Sequence, residues 1–209
     1  MRIFDGLKHL VAAIALAAVA TAAAAEKRVA LVIGNSSYQH TGALPNPEND
    51  AGDFAASLER LGFQVIKATN LDKRGMDRAI ATFARSATDA DAALFYYAGH
   101  GMQFQGSNYL MPVDAKLEDE VTLTFEMTRV DDVLSAIQRA RGVKLIILDA
   151  CRDNPLAKQL QTKATTRSLG PTRGLARIER TQGTLIAFAT QANDVAIDGV
   201  GARNSPFTT

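Results

Sequence analysis

Two apolar runs in this sequence each lead to a side chain that could do chemistry. Residues 92–98 (AALFYYA) precede His100, which stands between two glycines. Residues 143–148 (VKLIIL) precede Cys151, the one cysteine of the chain. Open α/β sheets place their functional groups at the carboxyl ends of buried strands. We therefore expect His100 and Cys151 to meet at one edge of a sheet as base and nucleophile.

The small numbers of histidines and cysteines limit which residues could form such a pair. A neighbouring histidine can hold a cysteine as a thiolate–imidazolium pair, which is a strong nucleophile at neutral pH. After residue 25 the chain has two histidines, and His40 lies in a polar stretch where a solvated role is expected. A lone cysteine is also consistent with a small buried hydrophobic residue. The pattern alone leaves both interpretations of Cys151 open.

Backbone amides beside the same two residues suit an oxyanion. Gly101 has no side chain to block its N–H group, and Cys151 carries its own backbone N–H at the end of a strand pattern. Paired N–H donors of this kind stabilise the tetrahedral intermediate of acyl transfer. We expect Gly101 and Cys151 to supply them.

The first 25 residues have the three-part layout of a secretory signal. A basic start precedes an apolar run at residues 10–20, and residues 23–25 (AAA) offer a small-residue cleavage site before Glu26. The apolar run is shorter than the ~20 residues that span a bilayer. An uncleaved membrane anchor is the alternative. We expect residues 1–25 to be removed, no stable membrane span afterwards, and a periplasmic or secreted protein whose single domain is residues 26–209.

Composition limits the classes of partner. The chain of 209 residues has 23 basic and 22 acidic side chains, and 47% of its residues are hydrophobic. This is enough for one good core and gives no indication of nucleic-acid binding. A single cysteine excludes an internal disulfide and every multi-cysteine zinc site.

Strand and helix patterns alternate along the chain. Asn46 and Pro47 are typical of a helix start, Asp72 is a candidate N-cap, and residues 130–137 have helical spacing. Residues 109–113 predict a small hairpin arm, and residues 118–126 a loop or hairpin. The alternation predicts an α/β fold, a doubly wound, mostly parallel sheet flanked by helices in one domain. Its buried strands are predicted at residues 28–34, 63–68, 92–98, 143–148 and 183–189.

Two stretches also resemble the motifs of a known family. Residues 96–101 (YYAGHG) resemble the histidine motif, and residues 149–152 (DACR) the cysteine motif, of caspase-like cysteine peptidases of the bacterial metacaspase and orthocaspase type. Caspases carry the histidine about 50 residues before the cysteine. The resemblance runs from about residue 27 to the end and includes residues 30–38, 44–51 and 204–208.

This resemblance implies a caspase-like fold and an endopeptidase with a Cys–His dyad. Cys151 would attack the scissile carbonyl and His100 would handle the protons. The resemblance also implies that Asp50 and Asp149 line a pocket for an Arg or Lys of a protein or peptide substrate, and a guanidinium binds carboxylates in bidentate fashion. On the residues alone, Asp50 is also explained as a first-turn helix carboxylate and Asp149 as a strand-end cap.

The sequence departs from the family at some positions. Ala98 stands where some metacaspases carry a serine, so one polar contact to the substrate is expected to be missing. Asp131 and Asp132 resemble part of the calcium site of some metacaspases, but Lys158 or its neighbours stand where that site would be completed. We expect no calcium requirement and no metal or cofactor, and the two acids are also typical of a first helical turn.

Residues 152–180 form a long basic stretch without sustained periodicity. A pocket for Arg or Lys would make this stretch a substrate, so we expect self-cleavage between Lys158 and Arg180; a solvated basic loop is the alternative. The chain ends at Thr209, where the family continues into a helix, so a truncated domain is expected.

Two other functions are open to test, a non-catalytic caspase-like binding module and a nucleotide-binding protein. The presence of both His100 and Cys151 argues against the first. The absence of a glycine-rich phosphate motif argues against the second.

Overall fold

The computed structural model describes residues 26–151, 175, 183–189 and 203–209, which build one mixed sheet with helices on both faces. None of the helices in these ranges has the length and hydropathy needed to cross a bilayer. The strands are β1 (Arg28–Gly34), β2 (Gln64–Thr69), β3 (Ala92–Phe104), β4 (Ser107–Leu110), β5 (Thr128–Arg129), β6 (Val143–Cys151) and β7 (Thr184–Phe188). The helices are α1 (Pro47–Arg60), α2 (Lys73–Ala87), α3 (Glu120–Glu126) and α4 (Val130–Ile137).

Five of these strands form the parallel part of the sheet, in the order β2-β1-β3-β6-β7. The carboxyl half of β3 continues past β1 and pairs with β4 in an antiparallel hairpin, and β4 pairs with β5. The mostly parallel, doubly wound sheet predicted from the alternating pattern is confirmed. Its crossover helices follow from the need to return the chain between parallel strands.

Side chains alternate along the strands and supply two cores. Leu94, Tyr96 and Ala98 of β3 face α1, where they pack with Ala51 and Leu58. The intervening side chains of β3 face the opposite side, where α2 and α4 contribute their buried residues. Both faces of the central strands are therefore covered, which explains why β1 and β3 read as nearly continuous apolar runs.

Two local predictions need correction. The strand predicted at residues 92–98 is longer, because β3 continues through His100 to Phe104 as one arm of the β4 hairpin. Residues 118–126 are not a loop or hairpin, since α3 lies there. Its start is a capping box in which the Asp119 carboxylate accepts from the Thr122 N–H at 2.7 Å and the Thr122 hydroxyl accepts from the Asp119 N–H at 3.1 Å.

Other predicted element ends are confirmed. The Asp72 carboxylate accepts from the Gly75 N–H at 2.6 Å and caps α2. Pro47 begins α1. A hairpin arm is present as predicted, but β4 lies at Ser107–Leu110 instead of residues 109–113. The predicted signal segment, residues 1–25, and the basic stretch from 152 to 180 apart from residue 175 lie outside the described residues.

Candidate active site

The register of the central strands places His100 opposite Cys151. β3 and β6 are parallel neighbours, and their last paired positions are His100 and Cys151. Cys151 is the last residue of β6. The two predicted reactive residues are thus directly paired across adjacent strands, which follows from two parallel strands starting at the same edge of the sheet.

The ring of His100 has one bonded and one unbonded nitrogen. Its Nε2 lies 2.8 Å from the carbonyl oxygen of Gly42, and a carbonyl can only accept, so Nε2 carries the proton. Its Nδ1 is buried and has no hydrogen-bond partner among the residues that the structure describes. This tautomer leaves the lone pair of Nδ1 able to accept a proton.

Two tyrosines hold the backbone of His100. The Tyr38 hydroxyl accepts from the His100 N–H at 2.7 Å, and the Tyr97 hydroxyl donates to the His100 carbonyl at 2.8 Å. The Tyr38 ring also lies against the imidazole, with centroids 4.5 Å apart. His100 is therefore held on its backbone and its ring by a residue from the loop after β1.

Burial keeps the imidazole neutral. His100 is 9% exposed, and burial lowers the pKa of His100 below the ordinary histidine value, while the hydrogen bond to Gly42 opposes this change. The neutral form is the one that can take a proton from a thiol. This environment favours a general base over the preformed imidazolium that the sequence hypothesis allowed.

Gly99 makes room for the two tyrosines. Its φ of +150° is one that L side chains rarely adopt, and a Cβ atom there would lie 2.5 Å from the Tyr38 hydroxyl and 2.7 Å from the Tyr97 hydroxyl. The glycine before His100 therefore serves the packing of the tyrosines that fix the histidine.

The backbone N–H of Gly101 faces the Cys151 side of β3. Gly101 and Leu110 are register partners, yet it is Met111 that donates to the carbonyl of His100, at 3.0 Å. Gly101 and Leu110 are thus a pair that exchanges no hydrogen bonds, and their N–H groups turn away from each other. The other neighbour of β3 is β6, where the strand ends at Cys151.

Asp50 and Asp149 meet at one residue near the end of the chain. The backbone N–H of Ser205 donates to Asp50 Oδ1 at 2.9 Å, and the Ser205 hydroxyl donates to Asp149 Oδ2 at 2.5 Å. Both carboxylates are buried, with exposures of 1% for Asp50 and 7% for Asp149. The structure therefore brings together the two acids that the sequence hypothesis assigned to one pocket.

Hydroxyl groups surround the Asp149 carboxylate. The Thr208 and Tyr96 hydroxyls lie 3.3 Å and 3.4 Å from its Oδ2, beside the shorter bond from Ser205. Burial raises the pKa of Asp149, while the hydrogen bonds from Ser205, Thr208 and Tyr96 oppose this change. Burial and the charge of Asp149 in turn raise the pKa of Tyr96, which stays a neutral donor.

Four residues of this site had no role in the sequence analysis: Tyr38, Gly42, Ser205 and Thr208. Three of them lie in stretches that resembled the family, but no local pattern indicated which side chain or carbonyl would reach the site. His40 is exposed in the same loop, consistent with its expected solvated role. The Asp131 carboxylate pairs with Arg129 at 2.6 Å in the first turn of α4. No group of three metal-binding side chains comes together within the described ranges.

The family model of the caspase domain, Peptidase C14, matches residues 27–209. The chain belongs to this family. The family is one of cysteine peptidases, and with the register of His100 and Cys151 it makes the edge of β3 and β6 the candidate active site.

Relatives with curated names match part of this caspase domain. The human mucosa-associated lymphoid tissue lymphoma translocation protein 1 is 31% identical over 131 residues, which cover 61% of this chain and 15% of that protein. Caspase-1-A of Xenopus laevis is 27% identical over 137 residues, which cover 60% of this chain and 34% of that protein. The matched segments span a minor part of both relatives.

A solved structure shares the fold. The crystal structure of protein GSU0716 from Geobacter sulfurreducens superposes with a TM-score of 0.60 at 19% identity, covering 87% of this chain and 79% of that one. At this identity the likeness concerns the fold.

Proposed function

We propose that this protein is a cysteine endopeptidase that uses Cys151 as nucleophile and His100 as general base. The observation that carries the proposal is the pairing of His100 with Cys151 across β3 and β6, with the unbonded Nδ1 of a neutral imidazole at that position. Membership of the caspase domain family supports it.

The proposed reaction has two steps. Nδ1 of His100 takes the proton of the Cys151 thiol, and Sγ bonds to the scissile carbonyl carbon. The C–N bond then breaks, and the amine leaves with the proton from His100. Water next attacks the thioester carbonyl carbon and gives a proton to His100. The C–S bond then breaks, the acid leaves, and the Cys151 thiolate takes that proton back from His100.

The backbone supports both steps. The Gly42 carbonyl binds Nε2–H and holds the tautomer and orientation of the ring, the role that an orienting group has in other peptidase sites. The N–H groups of Gly101 and Cys151 are the proposed donors to the oxyanion. No step needs a metal ion or cofactor.

The proposed specificity is for Arg or Lys before the cleaved bond of a protein or peptide, as in the metacaspase branch. Asp50 and Asp149 are the proposed recognition groups, and their shared contact with Ser205 supports their acting together. Two carboxylates near one point attract the guanidinium of a substrate arginine and repel an acidic substrate side chain.

One experiment tests the activity and the specificity. Peptides that differ only in Arg, Lys, Asp or Gln before the bond are incubated with the protein comprising residues 26–209 and with Cys151→Ala. We expect cleavage after Arg and Lys by the parent alone, and no cleavage after Asp. Cleavage that survives Cys151→Ala would contradict the nucleophile; preference for Asp would contradict the pocket. A folded parent that cleaves nothing would favour the non-catalytic binding module.

Self-processing and export extend the proposal. Intact-mass analysis of an active sample is expected to show cuts after basic residues between Lys158 and Arg180, absent in Cys151→Ala.

Export of the full chain from a bacterial host is expected to yield a periplasmic or secreted product whose first residue is Glu26. An unprocessed product that stays in the membrane fraction would support an uncleaved anchor.

A further inference from the structure

Residues 203–209 contact α1 beside the two carboxylates of the proposed pocket, Asp50 and Asp149. The Arg203 guanidinium binds both oxygens of Asp53, at 3.0 and 3.1 Å, and the Asn49 amide donates to the Arg203 carbonyl at 3.0 Å. Asp50 lies between these two contacts on α1. The next residues of the segment therefore lie beside Asp50 of α1 and Asp149 near the end of β6.

Ser205 is the point at which this segment contacts both carboxylates. Its amide and its hydroxyl are separate donors, one to Asp50 and one to Asp149, and the residue is 3% exposed. Among the described donors, its hydroxyl makes the shortest hydrogen bond to Asp149. Ser205 thus links the two acids through two separate hydrogen bonds.

The two carboxylate oxygens of Asp149 differ in their hydrogen bonds. The bonds from Ser205, Thr208 and Tyr96 all end on Oδ2, and none from the described part of the chain ends on Oδ1. A carboxylate held by one oxygen has a fixed orientation and presents the other oxygen in a fixed direction. A charged carboxylate also accepts these bonds more strongly than a neutral one.

We propose that Ser205 is a specificity-determining positioning residue that orients Asp149 through Oδ2, and Asp50 through its amide, for a basic side chain of the substrate. The proposal rests on the proposed function and deepens it. Among the described residues, the ionisable group in contact with Asp149 is Tyr96 from β3, and the charges of Asp149 and of Asp50 from α1 both raise the pKa of Tyr96. The Arg203–Asp53 pair lies exposed on the outer side of the same segment.

The test compares Ser205→Ala with Ser205→Thr, which keeps the hydroxyl. Thr209→Val is the matched control, because the Thr209 hydroxyl donates to the Ser205 carbonyl at 2.8 Å and contacts neither carboxylate. Two peptides are used that differ only in arginine or its uncharged isostere citrulline before the bond. Thermal unfolding of each variant checks that it folds.

We expect Ser205→Ala to lower kcat/KM for the arginine peptide about tenfold or more, mainly through KM, and to leave the citrulline peptide unchanged. Without the Ser205 bond, Asp149 loses a contact that favours its charged form. The acid limb of arginine cleavage therefore moves to higher pH. Ser205→Thr restores both properties, and Thr209→Val leaves both within about twofold. Equal loss on both peptides, or unchanged arginine preference, overturns the proposal.

A binding measurement separates this proposal from the proposed catalysis. Agmatine, which carries a guanidinium, is titrated calorimetrically into Cys151→Ala and into Cys151→Ala combined with Ser205→Ala. Weaker binding to the second protein supports the role of Ser205 even if no peptide is cleaved. Equal binding to both, or none to the first, overturns the role whatever the peptidase assay shows.

Discussion

At the scale of single residues, the site depends on how His100 is held. One tyrosine hydroxyl satisfies the buried N–H of His100, another satisfies its carbonyl, and a loop carbonyl fixes the protonated ring nitrogen. Each partner is a neutral group, so the imidazole is oriented without a charge that would raise its pKa. This is the state that a general base needs.

Tyr38→Phe is expected to weaken both folding and cleavage. It leaves the His100 N–H buried without its acceptor, which costs about 1–3 kcal/mol of unfolding free energy. Urea unfolding and kcat with an arginine peptide measure the two effects. Tyr109→Phe is the control, since Tyr109 is buried in the same apolar cluster as Tyr38 and the substitution removes the same single hydroxyl. Equal effects of the two substitutions would contradict the role of Tyr38.

The lowered pKa of His100 makes stability depend on pH. Because the folded pKa lies below 6.5, the unfolded chain binds more protons between these two values. The contribution of His100 is therefore complete above about pH 6.5 and is lost as the pH falls to the folded pKa. The difference in unfolding free energy between the parent and His100→Gln, measured from pH 4.5 to 7.5 in steps of about half a unit, is expected to shrink on acidification.

His40→Gln serves as the control for this titration, since His40 is exposed in the same loop. A flat difference for His100→Gln, or the same slope for His40→Gln, would show that burial does not control the proton affinity of His100.

At the scale of elements, local sequence patterns predicted most of the helices and strands. The apolar run of β1, the proline at the start of α1 and the cap of α2 are confirmed because each is decided within a few residues. Two predictions were wrong. The predicted β3 was too short, because pairing with β4 extends the strand. The predicted loop or hairpin is the helix α3, because the Asp119 side chain caps its first turn. Threonine and valine in residues 120–124 favoured a strand that this local hydrogen bonding overrides.

Asp72→Ala is expected to destabilise α2 without touching the candidate site. The substitution removes the bond to the Gly75 N–H and costs about 0.5–2 kcal/mol of unfolding free energy. Asp72→Ser keeps a capping oxygen and should recover most of the loss. Thermal unfolding compares the three proteins, and peptide cleavage at a temperature well below the transition should stay unchanged. Equal destabilisation by serine and alanine would exclude the capping role.

At the scale of the whole molecule, residues far apart in sequence complete the site. Residues 203–209 contact Asp50 of α1 and Asp149 of β6, and in doing so tie the far end of the described chain to the first helix. Deleting residues 203–209 removes donors from both buried carboxylates, so we expect the unfolding free energy to fall by about 1–3 kcal/mol.

The control for this deletion is Arg203→Ala. It breaks an ion pair whose partners are 68% and 41% exposed, and exposed pairs contribute little. Urea unfolding of the deletion, of Arg203→Ala and of the parent measures the difference. A deletion no more destabilising than Arg203→Ala would mean that the carboxylates do not depend on this segment.

The sequence by itself predicted the sheet and the family resemblance, because strand periodicity and short motifs are local properties. It also predicted that His100 meets Cys151, because the carboxyl ends of parallel strands share one edge of a sheet. Only the tertiary structure identified Gly42, Tyr38 and Ser205. Their contacts with His100 and Asp149 cross 58, 62 and 56 residues of sequence. Such contacts depend on how loops cross the sheet edge, which no short-range pattern records. The proton on Nε2 and the shared contact of the two acids follow from those contacts.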